Sequence, residues 1–163
     1  MSDIFERKNI NMQLRREQEF SDIISLIKQS QWNAVKSVNK ELIDLYWNVG
    51  RYIHERMENA DWGQSVVKEL ANYLQKQDPS LKGFSDKNLW RMKQFYETYK
   101  NESRLSALLR EISWTNNLTI LSRAKTVEEK EFYIHLSIQE RYSSRELERQ
   151  INSGVYERTM IGN

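Results

Sequence analysis

The sequence predicts an all-α protein, a helical bundle of six or seven helices with a long N-terminal helix. One proline and five glycines in 163 residues leave few positions for tight turns. Apolar residues recur at helical spacing along most of the chain, and no segment has the pattern of a β-hairpin. Only 39% of the residues are hydrophobic, but five Trp, eight Tyr and five Phe carry enough apolar area for a core.

The long first helix is predicted from about residue 20 to residue 57, a stretch without proline and with one glycine. Residues 1–19 are polar and show no sustained period, so they are predicted to form a mobile arm or a frayed helix. Two series of apolar residues lie seven apart in the helix: Val35, Leu42 and Val49, and Val38, Leu45 and Tyr52. This spacing is that of the a/d seam of paired helices. The seam is covered either by the protein's own domain or by a second chain, which would make the protein a homo-oligomer.

The next two helices resemble a helix-turn-helix pair. After a break at about residues 59–63, the first of them is predicted over residues 64–77. It ends at Asp78, because Pro79 disfavours helical geometry in the residue before it. The connector to the second helix has about eight residues, which is longer than the usual three or four.

The second helix of the pair is predicted to begin after an N-cap at Ser85, with Phe84 and Leu89 at the spacing of a hydrophobic staple. Its apolar stripe consists of Leu89, Met92, Tyr96 and Tyr99. Polar side chains lie outside this stripe: Lys82, Lys87, Asn88, Arg91, Lys93 and Gln94. Lys and Arg suit phosphates and guanine edges, whereas Asn and Gln suit adenine. These six residues are the predicted nucleic-acid-binding site, with double-stranded DNA as the partner, and an ordinary solvated helix face is the alternative.

Shorter helices are predicted in the last third of the chain. A weak one covers about residues 104–111, and another begins at Ser113. Capping boxes then open two more helices, at Thr126 to Glu129 and at Ser143 to Glu146. The connection of residues 141–143 is short enough for a second helix-turn-helix. Residues 153–163 are predicted to be a tail or linker, which leaves residues 20–152 as the helical domain.

The sequence shows no pattern that predicts catalysis or metal binding. It contains no cysteine, so thiolate nucleophiles and Cys-based zinc sites are excluded. His54 and His135 are the only histidines, and neither has a second ligand at metal-binding spacing. Phosphate-binding loops and nucleophile elbows are absent from the sequence. The protein is therefore expected not to be an enzyme and to need no metal or cofactor.

Charge and hydropathy narrow the choice of partners. The formal net charge is only +2, so a nucleic-acid-binding surface would have to be a local basic patch. The sequence contains neither a signal peptide nor an apolar run of about 20 residues that could cross a membrane. The protein is expected to be cytoplasmic and to have no membrane partner.

Six segments are distributed over residues 42–151: LIDLYWNVGRYIHER (42–56), DWGQSVVKELANYLQ (61–75), KGFSDKNLWRMKQFY (82–96), ISWTNNLTIL (112–121), EKEFYI (129–134) and SSRELERQI (143–151). In this order they resemble the N-terminal domain of the bacterial YhcG-type family. The resemblance implies a helix-turn-helix, DNA-binding module that precedes a PD-(D/E)XK nuclease domain. Asn116 departs from the family, which frequently has histidine at that position.

The resemblance also implies which part of such a protein this sequence represents. The catalytic carboxylates and lysine of the nuclease domain are not among these 163 residues. The chain is therefore expected to be a non-catalytic, nucleic-acid-binding module, either as a piece of a longer protein or as a standalone helical protein. An oligomerisation or protein-docking module built on the long helix is the alternative.

Overall fold

The computed structural model describes residues 2–162, which form α-helices and contain no β-strand. The helices are α1 (Ser2–Glu58), α2 (Gln64–Gln77), α3 (Asp86–Tyr99), α4 (Ser103–Ser106), α5 (Trp114–Arg123), α6 (Val127–Glu140), α7 (Ser144–Asn152) and α8 (Val155–Ile161), and one 3₁₀ turn covers Leu108–Glu111. The predicted all-α class and long first helix are confirmed. Helix α8 lies in the segment for which a tail or linker is predicted. None of the described helices is long and apolar enough to cross a membrane.

The described chain divides into two compact units, and the boundary between Val38 and Asn39 lies within α1. The first unit is helical from Ser2, so residues 2–19, predicted as a mobile arm or frayed helix, are helical. Every described residue of this unit is exposed. The second unit contains the rest of α1 and all the other helices.

The second unit has two apolar clusters. The Tyr133 cluster joins residues from α1, α3 and the helices after it: Ile43, Phe95, Tyr99, Leu105, Leu109, Ile112, Ile120, Leu121, Ala124, Tyr133, Ile134 and Leu147. The Val67 cluster joins α1, α2 and α3: Tyr46, Ile53, Val67, Leu89 and Met92. Phe84 packs at the edge of the Val67 cluster, which also contains its predicted staple partner Leu89. Both staple residues therefore contribute to the same core.

Trp114 packs against both clusters. Its ring lies 4.7 Å from that of Tyr46 and 5.2 Å from that of Phe95, between centroids. Its indole N–H donates a hydrogen bond to the side-chain oxygen of Asn88, at 3.1 Å. One side chain at the start of α5 thus contacts α1 and α3 as well.

Helices α1 and α3 approach each other closely at Gly50. A Cβ atom at this position would lie 2.1 Å from the carbonyl oxygen of Met92 and 2.6 Å from its carbonyl carbon. These are backbone atoms of α3, so a side chain could not be accommodated by rotating a neighbour. The glycine sets the distance between the two helices.

Two amide side chains, the half-buried Asn39 and the buried Asn117, hold the connection between the 3₁₀ turn and α5. The Asn39 side-chain amide donates to the carbonyls of Arg110 and Ile112, each at 2.9 Å. The Asn117 amide, which is fully buried, donates to the carbonyls of Leu109, Ile112 and Ser113. This segment is irregular, so regular helical hydrogen bonds do not pair all of its carbonyl groups. Because buried carbonyl groups need hydrogen-bond donors, the two amides stabilise the segment.

Side-chain oxygens cap the four helices for which the sequence predicts caps. Ser85, Ser113, Thr126 and Ser143 each accept a hydrogen bond from the backbone N–H three residues later. The reciprocal half of both predicted capping boxes differs from the prediction. The Glu129 carboxylate accepts from the backbone N–H of Lys125, not from that of Thr126. The Glu146 carboxylate pairs with Arg149 and Gln150, four or fewer residues further along the same helix.

Replacing Ser85 with alanine should lower the free energy of unfolding by about 1 kcal/mol, since the Asn88 N–H loses its acceptor. Urea denaturation monitored by circular dichroism measures this change. Ser122→Ala is the matched control, because Ser122 lies inside α5 and its hydroxyl only donates to carbonyls of its own helix. Equal midpoints for Ser85→Ala and the wild type would show that the cap contributes nothing.

The protein's own core covers the predicted a/d seam only at Val49, which is half-buried and packs against the Val67 cluster. In the first unit, Val35 and Val38 are exposed by 62% and 69%. In the second unit, Leu42, Leu45 and Tyr52 are also exposed. The buried side of α1 in the second unit consists of Ile43, Tyr46, Gly50 and Ile53. Within residues 2–162, the protein's own domain therefore covers the seam at Val49 and leaves its other five residues exposed.

Candidate nucleic-acid interface

The buried face of α3 differs by one residue from the apolar stripe that the sequence predicts. Leu89, Met92, Phe95 and Tyr99 are its buried residues. Phe95 replaces Tyr96 in the predicted stripe, and Tyr96 is half-buried with its ring 5.1 Å from that of Trp47. The reason is that α3 packs against both apolar clusters, which centres its buried arc on Phe95.

Three predicted cations around the start of α3 have no acidic partner among the described residues, 2–162. Lys82 and Lys87 are exposed and Arg91 is half-buried. Within residues 2–162, none of the three forms an ion pair. Lys87, Arg91 and the exposed Gln94 follow each other at steps of four and three residues, so they share one face of the helix. At 1.5 Å per residue this row is about 10 Å long.

Lys93 differs from these cations because its ammonium group forms an ion pair within the protein. Its ammonium group pairs with the carboxylate of Glu97 and lies 5.7 Å from the ring centroid of Trp90. Burial by itself would raise the pKa of Glu97, but the hydrogen bond and charge of Lys93, together with His54, hold that pKa below its ordinary value. Trp90 is half-buried at the edge of the Val67 cluster. Lys93 is thus less available for a phosphate than the other predicted cations.

Asn88 also has its polar groups occupied. Its side-chain N–H donates to the carbonyl of Gly83, and its side-chain oxygen accepts from Trp114. Gly83 itself has a positive φ of 88°, a conformation that favours glycine. In this arrangement Asn88 fastens the connector to the first turn of α3, and a contact with a base would require these bonds to break.

The remaining polar cluster on α3 involves His54. Its Nδ1 atom lies 3.4 Å from the Glu97 carboxylate, and its Nε2 atom lies 3.5 Å from the ammonium group of Lys100. This cluster has one carboxylate and one imidazole. Across the described residues, no group of three or more His, Cys, Asp or Glu side chains could hold a metal ion.

The second predicted helix-turn-helix, α6 and α7, has a mixed surface. Arg141 adopts the left-handed conformation at the end of α6, with a φ of 51°. The Asn116 amide donates to the carbonyl of Tyr142 and so ties this connection to α5. On α7, Arg149 pairs with Glu146, and Glu148 pairs with Arg123 of α5. The surface of α7 thus combines ion-paired side chains with the exposed Arg145, which forms no ion pair within residues 2–162.

Together these features define an all-α helical domain in which a capped helix, docked on two core clusters, presents cations that form no ion pair with any described residue. The chain belongs to the DUF1016 N-terminal domain family, whose model matches residues 22–158. This family is associated with YhcG-type proteins, which confirms the resemblance. No curated protein and no solved structure matches the chain significantly.

Proposed function

We propose that this protein is a non-catalytic nucleic-acid-binding module and that it binds double-stranded DNA through the outward face of α3. Lys87 and Lys82 contact phosphates, and Arg91 with Gln94 reaches base edges. The observation that carries the proposal is the group of three cations, Lys82, Lys87 and Arg91, that have no acidic partner within residues 2–162 although the chain is nearly neutral overall. Lys93 and Asn88, which are engaged within the fold, position the helix.

The anchoring of α3 supports this proposal. The buried stripe, the Ser85 cap and the Asn88 bonds fix the first turns of the helix, so the row from Lys87 to Gln94 is presented by a rigid element. A rigid helix loses little conformational entropy on binding. Three cations release few counterions, so the affinity for random duplex should be about micromolar at physiological salt.

The proposal that the module is non-catalytic has separate support. Metal-assisted cleavage of a phosphodiester needs clustered carboxylates that hold the metal ions. The described part of the chain offers no cluster of three metal-ligating side chains. Sustained cleavage of DNA by highly purified protein with a divalent metal would overturn this part of the proposal.

A second candidate function is protein docking or oligomerisation. The observation that favours it is the apolar side of α1 in the second unit, where Leu42, Leu45 and Tyr52 are exposed by 36%, 44% and 51%. Contiguous apolar surface of this kind marks interaction sites in soluble proteins.

The nucleic-acid proposal is tested with Lys87→Gln/Arg91→Gln. Binding to a fluorescently labelled random duplex is measured by anisotropy at two salt concentrations. We expect the double variant to bind at least about tenfold more weakly at low salt, because the phosphate contact of Lys87 and the base contact of Arg91 are both lost. The negative slope of the logarithm of affinity against the logarithm of salt concentration should become shallower by about one, because one phosphate contact is lost.

The matched control is Lys125→Gln/Arg145→Gln, which removes the same two types of charge from the region of α6 and α7. Lys125 and Arg145 are both exposed, and neither forms an ion pair within residues 2–162. This control should bind like the wild type. Equal losses in both double variants would show that only net charge matters, and absence of wild-type binding at low salt would overturn the proposal.

A further inference from the structure

The first unit exposes a long apolar surface. Between Ser2 and Val38 the helix has no buried residue, although it carries many large apolar side chains: Ile4, Phe5, Ile10, Met12, Leu14, Phe20, Ile23, Ile24, Leu26, Ile27, Trp32, Val35 and Val38. Helices in proteins gain most of their stability from packing one face against another element. A helix of this length and composition therefore needs a partner that covers it.

The spacing of the apolar residues identifies the kind of partner. From residue 20, positions that step by four, three, four, three and four residues are Phe20, Ile24, Ile27, Gln31, Ala34 and Val38. Alternating steps of three and four are the a/d seam of a coiled coil, whose partner is another helix with the same repeat. We refer to residues 20–38 as the seam segment. Ile23 and Val35 flank this seam and broaden it; the a/d series that continues to Leu42 and Leu45 has Val35 instead of Ala34 before Val38, so it is offset from this seam by one residue.

We propose that the seam segment pairs, parallel and in register, with the seam segment of a second copy of this chain. A coiled-coil partner must have the same repeat of apolar residues. A second copy of the seam segment has this repeat, so the segment can pair with itself. In this pairing Gln31 faces Gln31 of the second copy, and each amide can donate to and accept from the other. A single polar residue in such a seam fixes the register of two helices.

The charges of the seam segment favour the same arrangement. It contains only three charged residues, Asp22, Lys28 and Lys36, and only Lys28 lies at a position beside the seam. In a parallel, in-register pair, Lys28 lies beside Ile23 of the second copy, where its hydrocarbon stem can pack. An antiparallel pair centred on the segment would bring Lys28 next to Lys28 of the second copy, and the two charges would repel each other.

The exposed apolar area of the seam segment approaches that of a standard protein–protein interface. The large apolar side chains of the seam and its flanks are exposed by 52–69%: Phe20, Ile23, Ile24, Ile27, Val35 and Val38. At about 100 Å² each they offer about 600 Å² per chain. With the stems of the neighbouring polar residues, this approaches the roughly 800 Å² per partner of a standard interface. The pairing does not depend on the nucleic-acid proposal, and it extends the second candidate function by naming the segment and its occupant.

The absence of cysteine from the sequence allows a direct test. Gln31→Cys places one thiol in the seam, and Gln29→Cys places one on the opposite side of the helix. In-register pairing brings the two Cα atoms at position 31 to within the roughly 4–7 Å that a disulfide requires. We expect Gln31→Cys to form a covalent dimer at least about tenfold faster than Gln29→Cys in oxidising buffer. Equal rates would overturn the proposed geometry.

Mass in solution provides the second measurement. Light scattering of the wild-type chain at tens of micromolar should give twice the mass of one chain, and Ile24→Asp/Ile27→Asp should give the mass of one. Ser25→Asp/Gln29→Asp, on the opposite side of the helix, should remain a pair, and circular dichroism shows whether each variant stays helical. A monomeric wild type would overturn the proposal. So would a pair that survives Ile24→Asp/Ile27→Asp but is lost in Leu42→Asp/Leu45→Asp.

Discussion

Replacing Gly50 with alanine is expected to lower the free energy of unfolding of the second unit by about 3 kcal/mol. The new methyl carbon would lie 2.1 Å from the Met92 carbonyl oxygen, so α1 and α3 would have to separate. In an exposed helix the same change would instead stabilise by up to about 1 kcal/mol, because alanine restricts the unfolded chain. A loss of stability therefore reports the close approach of the two helices and not helix propensity. Urea denaturation followed by circular dichroism measures it.

Gly63→Ala is the matched control for Gly50→Ala. A Cβ atom at Gly63 would have no neighbour within 4 Å, and the residue has a φ of −92°, which alanine also adopts. Gly63 precedes α2 as its N-cap, a position where glycine is preferred over alanine, so this change should cost about 1 kcal/mol or less. Similar stabilities for both variants would contradict the observed packing of α1 on α3.

The second large effect is expected for Asn117→Asp. The Asn117 amide donates to three carbonyl groups and is fully buried, whereas a carboxylate of the same shape has no N–H to donate. At pH 7 the substitution puts a buried negative charge against three carbonyl oxygens. We expect a loss of at least about 3 kcal/mol in the free energy of unfolding.

This loss should depend on pH in a defined direction. Burial and the facing carbonyls raise the pKa of the new carboxyl group in the folded protein above its unfolded value of about 3.9. The destabilisation is therefore smallest below about pH 4 and grows as the pH rises towards the folded-state pKa. Thermal unfolding of the variant and the wild type at pH 4 and pH 7 gives the comparison.

Asn152→Asp is the control for the Asn117 experiment. The side-chain oxygen of Asn152 is exposed and already accepts a hydrogen bond from Arg123 at 2.6 Å. A carboxylate there keeps the acceptor and gains an ion pair, so stability at pH 7 should be unchanged or slightly higher. If Asn117→Asp were as well tolerated as Asn152→Asp, the three carbonyl contacts would not be important for stability.

The starts of helices could be predicted from the sequence because they depend on local chemistry. Ser85, Ser113, Thr126 and Ser143 cap helices where the sequence places caps. The end of α2 at Gln77, before Asp78-Pro79, follows from the restriction that proline puts on its neighbour. These signals involve residues within a few positions of one another.

Features that depend on packing between distant segments could not be predicted in this way. The place of Phe95 in the buried face of α3 depends on two clusters that meet only in the folded chain. The roles of Gly50 and Asn117 depend on backbone atoms of other elements. The sequence indicates a special role for Gly50 only in that it is the single glycine of the long predicted helix.

The candidate site also combines features that local sequence determines with features that tertiary contacts determine. The spacing of Lys87, Arg91 and Gln94 on one face is a local property, and the structure presents them outside the buried stripe. The sequence did not show that Asn88 is occupied by Gly83 and Trp114, or that Lys93 is paired with Glu97. The pairing of Lys93 and the engagement of Asn88 are set by tertiary contacts. Whether α3 binds DNA stays a prediction.

The position of Trp114 between the two clusters has a consequence for how the second unit unfolds. Because its ring contacts Tyr46 and Phe95, neither cluster can open without exposing part of the other. The helices of this unit should therefore exchange their most protected amide hydrogens in a single cooperative opening, with one common free energy on both sides of α3.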